Sequence, residues 1–267
     1  MKRSALPALL ALAGAALLAP VHAQPSGQWD FENGNLAATV GTALTYIDGP
    51  GGATQSGTQF GTTTSFGIPN IGGAEAKIMR FPATTFGMGY YMPNPNVANG
   101  GGGFLNDWTI VFDILFPAES SGKLRALIET DARQLTANAD FFVGSNNGIG
   151  INGQFDGQLQ PNTWYRVGFV VEASAGQIRK YIDGVEVGVQ SARDGGTPAV
   201  DGRWALLPGG LSELFSDDDG ETALGYVNSI QVRGEALSRK QMLALAGPSA
   251  TGIPQVVPPI PSGIERW

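Results

Sequence analysis

The residues best suited to chemistry form an acidic turn late in the chain, at Asp217, Asp218, Asp219 and Glu221. Calcium prefers six to eight hard oxygen ligands, which closely spaced carboxylates and turn carbonyls can supply. The spacing is not that of an EF-hand loop, because Gly220 comes two residues too early. The turn predicts a calcium site at Asp217, Asp219 and Glu221. The alternative is a solvated acidic loop between two strands.

A second group of candidate residues is aromatic. Trp204, Tyr90 and Tyr91 could stack on sugar rings if they reach a groove or the rim of the domain. An apolar ring face with a polar edge suits carbohydrate. The remaining large aromatic side chains are expected to pack in the core. They include Trp29, Trp108, Phe112 and Trp164.

Two absences limit the chemistry that the chain can perform. There is no Cys, which excludes disulfides, thiol nucleophiles and a lipid-modified cysteine anchor. The only His is His22, which belongs to an N-terminal segment that we expect to be removed. No imidazole then remains for a Ser-His-Asp triad or a typical zinc site. We therefore predict that the protein is not an enzyme.

The N-terminal segment, residues 1–23, has the features of a secretory signal peptide. Lys2 and Arg3 precede an apolar run over residues 6–19, and Val21-His22-Ala23 fits a small-residue cleavage site. Cleavage after Ala23 would place the mature protein in the periplasm or outside the cell. No later stretch approaches the roughly 20 apolar residues that are needed to span a bilayer, so we expect no membrane insertion.

The charge of the mature chain also narrows the choice of partners. Removing the signal peptide takes two of the 16 basic residues and none of the 23 acidic ones, which leaves a net charge of −9. This sign argues against nucleic acid and anionic membranes as partners.

The element that organises the chain runs over residues 162–187. Apolar residues at every second position from Tyr165 to Val171 predict a strand with one buried face. A second strand ends at Asp183-Gly184, whose tolerance of positive φ suits a two-residue hairpin turn into a third strand. Local chemistry alone therefore predicts three antiparallel strands.

The rest of the chain continues this strand pattern. Residues 107–116 alternate so regularly that they should form a central strand. A helix should begin at Ser238, which has capping-box spacing to Gln241, and end at Gly247. Short strands at regular spacing are typical of a sandwich. The predicted fold class is all-β, a two-sheet antiparallel jelly-roll sandwich with one short C-terminal helix.

The chain divides into three parts on this interpretation. They are the signal peptide at residues 1–23, a single domain at residues 24–247 and a Pro-rich tail at residues 248–267. The tail has no periodic pattern, so we interpret it as a linker.

Several motifs occur in the order found in one known family. They are WDFENG at 29–34, WYRV at 164–167, YIDG at 181–184, DDDG at 217–220, YVNSIQV at 226–232 and the helix at 236–245. Together they resemble the laminin-G-like jelly-roll domain of the concanavalin A-like lectin/glucanase superfamily, of the secreted bacterial type. The resemblance covers about residues 28–247. It implies a non-catalytic module that binds an extracellular glycan or glycoprotein, with calcium as a structural ion.

The resemblance implies a second calcium site as well. First and last strands are neighbours in such domains, so Glu32, or the carbonyls of Asn33-Gly34, could join Asn228 as ligands. The family usually has Asp at the position of Asn228.

Two further functions are open. Glucanases of the same superfamily carry a Glu-x-Asp-x-x-Glu strand. Glu129-Thr-Asp131 begins that pattern, but Arg133 and Gln134 stand where the second Glu is needed. A glycoside hydrolase or lyase would need two convergent carboxylates about 5 to 10 Å apart in the concave cleft. A structural or adhesive surface protein would instead show an exposed apolar patch without a cleft.

Overall fold

Two antiparallel β-sheets packed face to face account for most of the structure. The structure is a computed structural model that describes residues 24–49, 52–131 and 140–259. The predicted signal peptide, residues Arg133 and Gln134 of the incomplete glucanase pattern, and the end of the Pro-rich tail lie outside the described residues.

The strands follow one another along the chain in the order expected of a sandwich of short strands. They are β1 (Gly27–Trp29), β2 (Thr45–Ile47), β3 (Gln59–Thr62), β4 (Lys77–Phe81), β5 (Gly89–Pro93), β6 (Asp107–Leu115), β7 (Arg125–Glu129), β8 (Asp140–Val143), β9 (Ile149–Ile151), β10 (Gln154–Asp156), β11 (Tyr165–Glu172), β12 (Gln177–Ile182), β13 (Val185–Ser191), β14 (Arg193–Asp194), β15 (Thr197–Pro198), β16 (Leu211–Leu214) and β17 (Gly225–Arg233). Helices in the described residues are α1 (Ala53–Gly57) and α2 (Arg239–Leu245), with a 3₁₀ turn at Ala118–Ser120.

The eight-stranded sheet has the order β13-β12-β11-β6-β17-β4-β3, with β1 also paired to β17. The seven-stranded sheet has the order β10-β9-β8-β7-β16-β5-β2, and β14 and β15 form a separate ribbon. All the pairings within the two sheets are antiparallel. The predicted two-sheet antiparallel sandwich is therefore confirmed.

Strand β6 shows how the sequence pattern becomes packing. Trp108, Ile110 and Phe112 point into the core between the sheets and are fully buried. Val111 and Asp113 lie on the opposite, outer face and are equally buried. A strand that is buried on both faces must be covered on its outer face by something other than the second sheet.

The cover on the outer face of the eight-stranded sheet is α2 and the segment that follows it. The helix begins at Ser238, whose side chain and that of Gln241 form the predicted capping box. Met242 and Leu245 of the helix pack with Ile253 and Val257 in a second apolar cluster. The tail that we interpreted as a linker is therefore packed against the domain as far as Val257. We refer to residues 248–259 as the strap.

The hairpin turn and the strands predicted at residues 107–116 and within residues 162–187 lie where the sequence predicts them. Asp183 and Gly184 have φ values of 51° and 78°, the left-handed conformation that their turn requires. Strand β5 was not predicted, because Pro93 and the Gly-rich run after it favoured a loop. Pro93 is the last residue of that strand, where the missing N–H matters least.

Candidate functional site

A hollow of about 760 Å³ is lined by residues of the seven-stranded sheet and of β13, the edge strand of the eight-stranded sheet. Its walls come mainly from five parts of the chain. They are Asp140 and Phe142 of β8, the hairpin between β9 and β10, the segment from Gln190 to Arg193, and the two loops that carry Arg203-Trp204 and residues 217–221. The hollow therefore brings Trp204 together with Asp217, Asp219 and Glu221, which follow it by 13 to 17 residues in the sequence.

The acidic loop is held in shape by Asp217. This side chain is only 2 % exposed, and its Oδ2 accepts hydrogen bonds from the amides of Asp219 (3.0 Å) and Glu221 (2.7 Å). The carbonyl oxygen of Glu221 accepts a bond from the amide of Ala126, which ties the loop to β7. One carboxylate oxygen from each of Asp217, Asp219 and Glu221 lies within 4.8 Å of the others. The three predicted ligands therefore converge, as a calcium site requires.

Three more carboxyl groups follow one another across the seven-stranded sheet. Glu129 of β7 is the register partner of Asp140 on one side and of Glu213 on the other. Register partners on neighbouring antiparallel strands have β-carbons about 5 Å apart. Glu129 and Glu213 are 1 % and 3 % exposed, whereas Asp140 lines the hollow. This row of carboxyl groups, Asp140-Glu129-Glu213, continues the acidic wall into the sheet.

The crowding of negative charge changes how these groups titrate. Burial, followed by the charges of Asp217 and Asp218, raises the pKa of Asp140 to about 7, although a hydrogen bond with Glu129 opposes the rise. A hydrogen bond with Asp217 is the main cause that raises the pKa of Asp219 to about 6. Burial and the same acidic neighbours raise the pKa of Glu221. The site holds protons at a pH where isolated carboxyl groups are ionised. A bound cation would reduce the same excess of negative charge, so the site would also favour the binding of a cation.

The titration predicts an unusual dependence of stability on pH in the absence of metal. Between pH 4 and 7 the native state binds more protons at Asp140 than the unfolded chain does, so the free energy of unfolding falls as pH rises through this range. Because Asp140 is partly exposed, we expect a loss of about 2 kcal/mol or less. Urea unfolding in a chelator at a series of pH values measures it. Asp140→Asn should flatten the curve, and an unchanged slope in this variant would contradict the assignment.

Trp204 forms the aromatic part of the hollow. Its ring is partly exposed and packs against the edge of the core, and the guanidinium of Arg203 lies 5.8 Å from the ring centroid. Its backbone is fixed because its carbonyl accepts a 2.9 Å bond from the indole N–H of Trp108. The carbonyl of Arg203 accepts a 2.6 Å bond from Thr130 Oγ1. The ring is thus held on a rigid support beside the acidic loop.

The two tyrosines predicted beside Trp204 do not share its position. Tyr90 is fully buried, its hydroxyl lies 2.5 Å from Thr58 Oγ1, and burial raises its pKa. The prediction of a ligand-binding role for Tyr90 was wrong, because alternation along β5 turns it into the core. Tyr91 points the other way and is half-buried, opposite Glu213 on the neighbouring strand. It extends the row of polar side chains across the sheet, outside the lining of the hollow.

The second predicted calcium site lies elsewhere. Asn228 is in β17 of the eight-stranded sheet and is 1 % exposed. Its Nδ2 donates a 2.7 Å bond to the carbonyl of Lys77, and its Oδ1 has no hydrogen-bond partner among the described residues. Glu32 is exposed and lines a separate pocket of about 310 Å³ that also includes Lys77. The five predicted metal ligands thus divide between two places, and the loop at 217–221 has the larger number of carboxylates.

Sequence reasoning missed the contributions of Asp140, Glu129 and Glu213 to the acidic wall. Glu129 was considered only within a single-strand motif. The signal that could have found them is a carboxylate within or at the end of each of three short strands. Pairing of those strands cannot be read from the sequence, because β7 and β16 are more than 80 residues apart.

Comparisons with known proteins support the fold. No protein-family model matches the chain, and no curated protein matches it in sequence. Among solved structures it is similar to domain 4 of AbnA, a GH43 extracellular arabinanase from Geobacillus stearothermophilus, in complex with arabinotriose. The TM-score is 0.55 and the identity 15 %, over 84 % of this chain and 98 % of that domain.

Two toxin domains are similar as well. The binding domain of Paraclostridial Mosquitocidal Protein 1 gives a TM-score of 0.52 at 11 % identity, and the receptor binding domain of botulinum neurotoxin type G gives 0.51 at 9 %. The matches cover 82 % and 83 % of this chain but only about half of each toxin domain. At these identities the comparisons establish a β-sandwich fold that binding domains of other proteins share. In the part of the chain that the structure describes, no helix is both long and apolar enough to cross a membrane.

Proposed function

We propose that the protein is a secreted or periplasmic, non-catalytic module that binds an extracellular glycan, free or on a glycoprotein, in the hollow beside Trp204. The observation that carries the proposal is the convergence of a supported tryptophan ring with a polar, carboxylate-rich wall in one hollow. Sugars bind to such combinations because a ring face stacks on their C–H groups and carboxylates accept bonds from their hydroxyls. The structure of AbnA domain 4 with arabinotriose supports a glycan ligand for this fold. The laminin-G-like assignment remains part of this proposal.

Replacement of Trp204 tests the proposal. Trp204→Ala should weaken glycan binding about tenfold, since a stacked aromatic ring contributes about 1 to 1.5 kcal/mol. Binding of the mature protein to a glycan array, followed by titration calorimetry on the sugar that binds, measures the effect. Phe86→Ala is the matched control, because Phe86 is 60 % exposed and lies outside the hollow. Equal binding by both variants would contradict a glycan site at Trp204.

We further propose that calcium binds to Asp217, Asp219 and Glu221 and supports the wall of the hollow. The ion would neutralise the acidic charges that add to the effect of burial on the pKa of Asp140 and to that of the Asp217 hydrogen bond on the pKa of Asp219. Asp219→Ala should then lower the melting temperature in calcium and leave it unchanged in chelator, because the side chain is largely exposed. Differential scanning calorimetry in both conditions checks this. The control Asp194→Ala changes an exposed carboxylate outside the hollow.

A glycoside hydrolase is the second candidate function, because the row Asp140-Glu129-Glu213 brings three carboxyl groups together beside the hollow, and glycosidases use paired carboxyl groups. Asp140, protonated near neutral pH, would act as the acid and Glu129 as its partner. A binding function is preferred to a hydrolase because the side chains of Glu129 and Glu213 are almost inaccessible to a ligand. Release of reducing ends from arabinan or β-glucan that is lost in both Glu129→Gln and Asp140→Asn would favour the hydrolase.

A further inference from the structure

A polar groove on the outer face of the eight-stranded sheet holds the strap. The side chains that form it lie on β1, β6, β11 and β17, and each is at most 2 % exposed. They are Gln28, Asp113, Arg166, Ser229, Gln231 and Arg233. We refer to this set as the strap groove. Residues 229, 231 and 233 lie at every second position of the central strand β17. Their polar side chains therefore point to the same buried face.

These side chains contact the backbone of the strap. The carbonyl of Ile253 accepts a 3.0 Å bond from Gln28, and that of Pro254 accepts from Gln231 (3.2 Å) and Arg233 (3.1 Å). Arg233 also donates to the carbonyl of Gln255 at 2.7 Å. The strap crosses the sheet without joining it as a strand, so its peptide groups need side-chain partners.

The amides of the strap are matched in the same way. Asp113 Oδ2 accepts a 3.3 Å bond from the amide of Ser249, and Ser229 Oγ accepts a 3.2 Å bond from the amide of Ile253. Two apolar side chains, Ile253 and Val257, are 2 % and 3 % exposed and anchor the strap in the cluster beneath α2. Backbone bonds combined with spaced apolar anchors are the mode by which proteins bind an extended peptide.

The connection between helix and strap favours exchange between molecules. Leu245 is buried at the end of α2, and Ser249 is already bound in the groove, so residues 246–248 form a short hinge. Ala246 in this hinge has φ 54° and ψ −147°, a conformation that is costly for a residue with a β-carbon. If the hinge straightens so that the strap extends to a second molecule, Ala246 leaves this costly conformation. The second molecule offers the strap an identical groove.

We propose that the strap groove is a peptide-binding surface that accepts the strap of a second copy of this chain, which produces strap-exchanged dimers. The contacts in the groove are the same whether the strap belongs to the same molecule or to its partner. Exchange is expected when folding occurs at high protein concentration, because the groove of another chain then competes with the groove of the same chain for the strap.

The first test is the mass of the full chain after refolding over a wide range of concentrations, measured by size exclusion with light scattering. A species of twice the monomer mass should increase with concentration and persist on dilution. Ala246→Gly, which removes the strain in the hinge, should lower the dimer fraction several-fold. A monomer at every concentration would overturn the proposal.

A cysteine pair shows which segment is exchanged, since the chain has no Cys of its own. Ser229→Cys in the groove and Ile253→Cys in the strap replace residues whose side-chain Oγ and backbone N are 3.2 Å apart. Within one chain the two substitutions should give an internal disulfide. Co-refolding the two single variants should give a disulfide-linked dimer that contains one of each. A dimer of the correct mass without this cross-link would assign the association to another surface and overturn the proposal.

Discussion

Arg166→Met should lower the free energy of unfolding by about 3 to 5 kcal/mol, because it leaves the carboxylate of Asp113 buried without its charged partner. The two side chains are 2 % and 0 % exposed. They form a bidentate pair with Nε–Oδ1 and Nη2–Oδ2 distances of 2.7 Å each. Arg166 also donates to the carbonyl of Leu245 at the end of α2. Since small domains have only about 5 to 15 kcal/mol of stability in total, the variant should unfold at much lower denaturant concentration.

Urea unfolding followed by tryptophan fluorescence measures this loss. The matched control is Arg239→Met, which removes an equally close but exposed pair with Glu186, and it should cost about 1 kcal/mol or less. The double variant Asp113→Leu/Arg166→Met should recover part of the stability, since no charge then stays buried. A single Arg166→Met variant as stable as the control would show that Asp113 is solvated or protonated instead.

Truncation after Gly247 should destabilise the domain by about 4 kcal/mol or more. Two apolar side chains, Ile253 and Val257, lose their burial, at about 1.5 to 3 kcal/mol each. The strap groove also loses backbone partners for Gln28, Gln231 and Arg233. Thermal unfolding of the truncated protein beside the full chain measures the effect.

The control for this truncation ends at residue 259 and keeps every contact of the strap described above. It should melt at the temperature of the full chain. Equal stability of the two truncated proteins would mean that the strap contributes no stability to the domain. It would support the original interpretation of the tail as a linker.

The parts of the fold that the sequence predicted are those set by local chemistry. Ser238 and Gln241 identify the start of α2 because the capping box needs only residues three apart. Asp183-Gly184 identifies the hairpin because few residues tolerate its φ values. Strand β17, Gly225–Arg233, contains the whole YVNSIQV motif at 226–232 and is buried along its length.

The parts that escaped prediction depend on distant contacts. Composition made the strap look like a linker, and its order comes from side chains on β6, β11 and β17 that no local pattern connects to it. Tyr90 and Tyr91 are adjacent, and only the pairing of β5 decides which of them is buried. The acidic loop and Trp204 were each identified as candidates, but their meeting in one hollow required the fold.

The position of β17 within its sheet has a consequence for how the chain folds. This late strand pairs with β1, β4 and β6. The first strand of the domain therefore cannot pair until one of the last strands is available. The seven-stranded sheet depends in the same way on β16. Folding must therefore close long loops, at a cost in entropy, before the contacts between these strands stabilise the domain. Such topologies fold slowly, in milliseconds to seconds. Neither sheet can be completed until almost the whole domain has been synthesised.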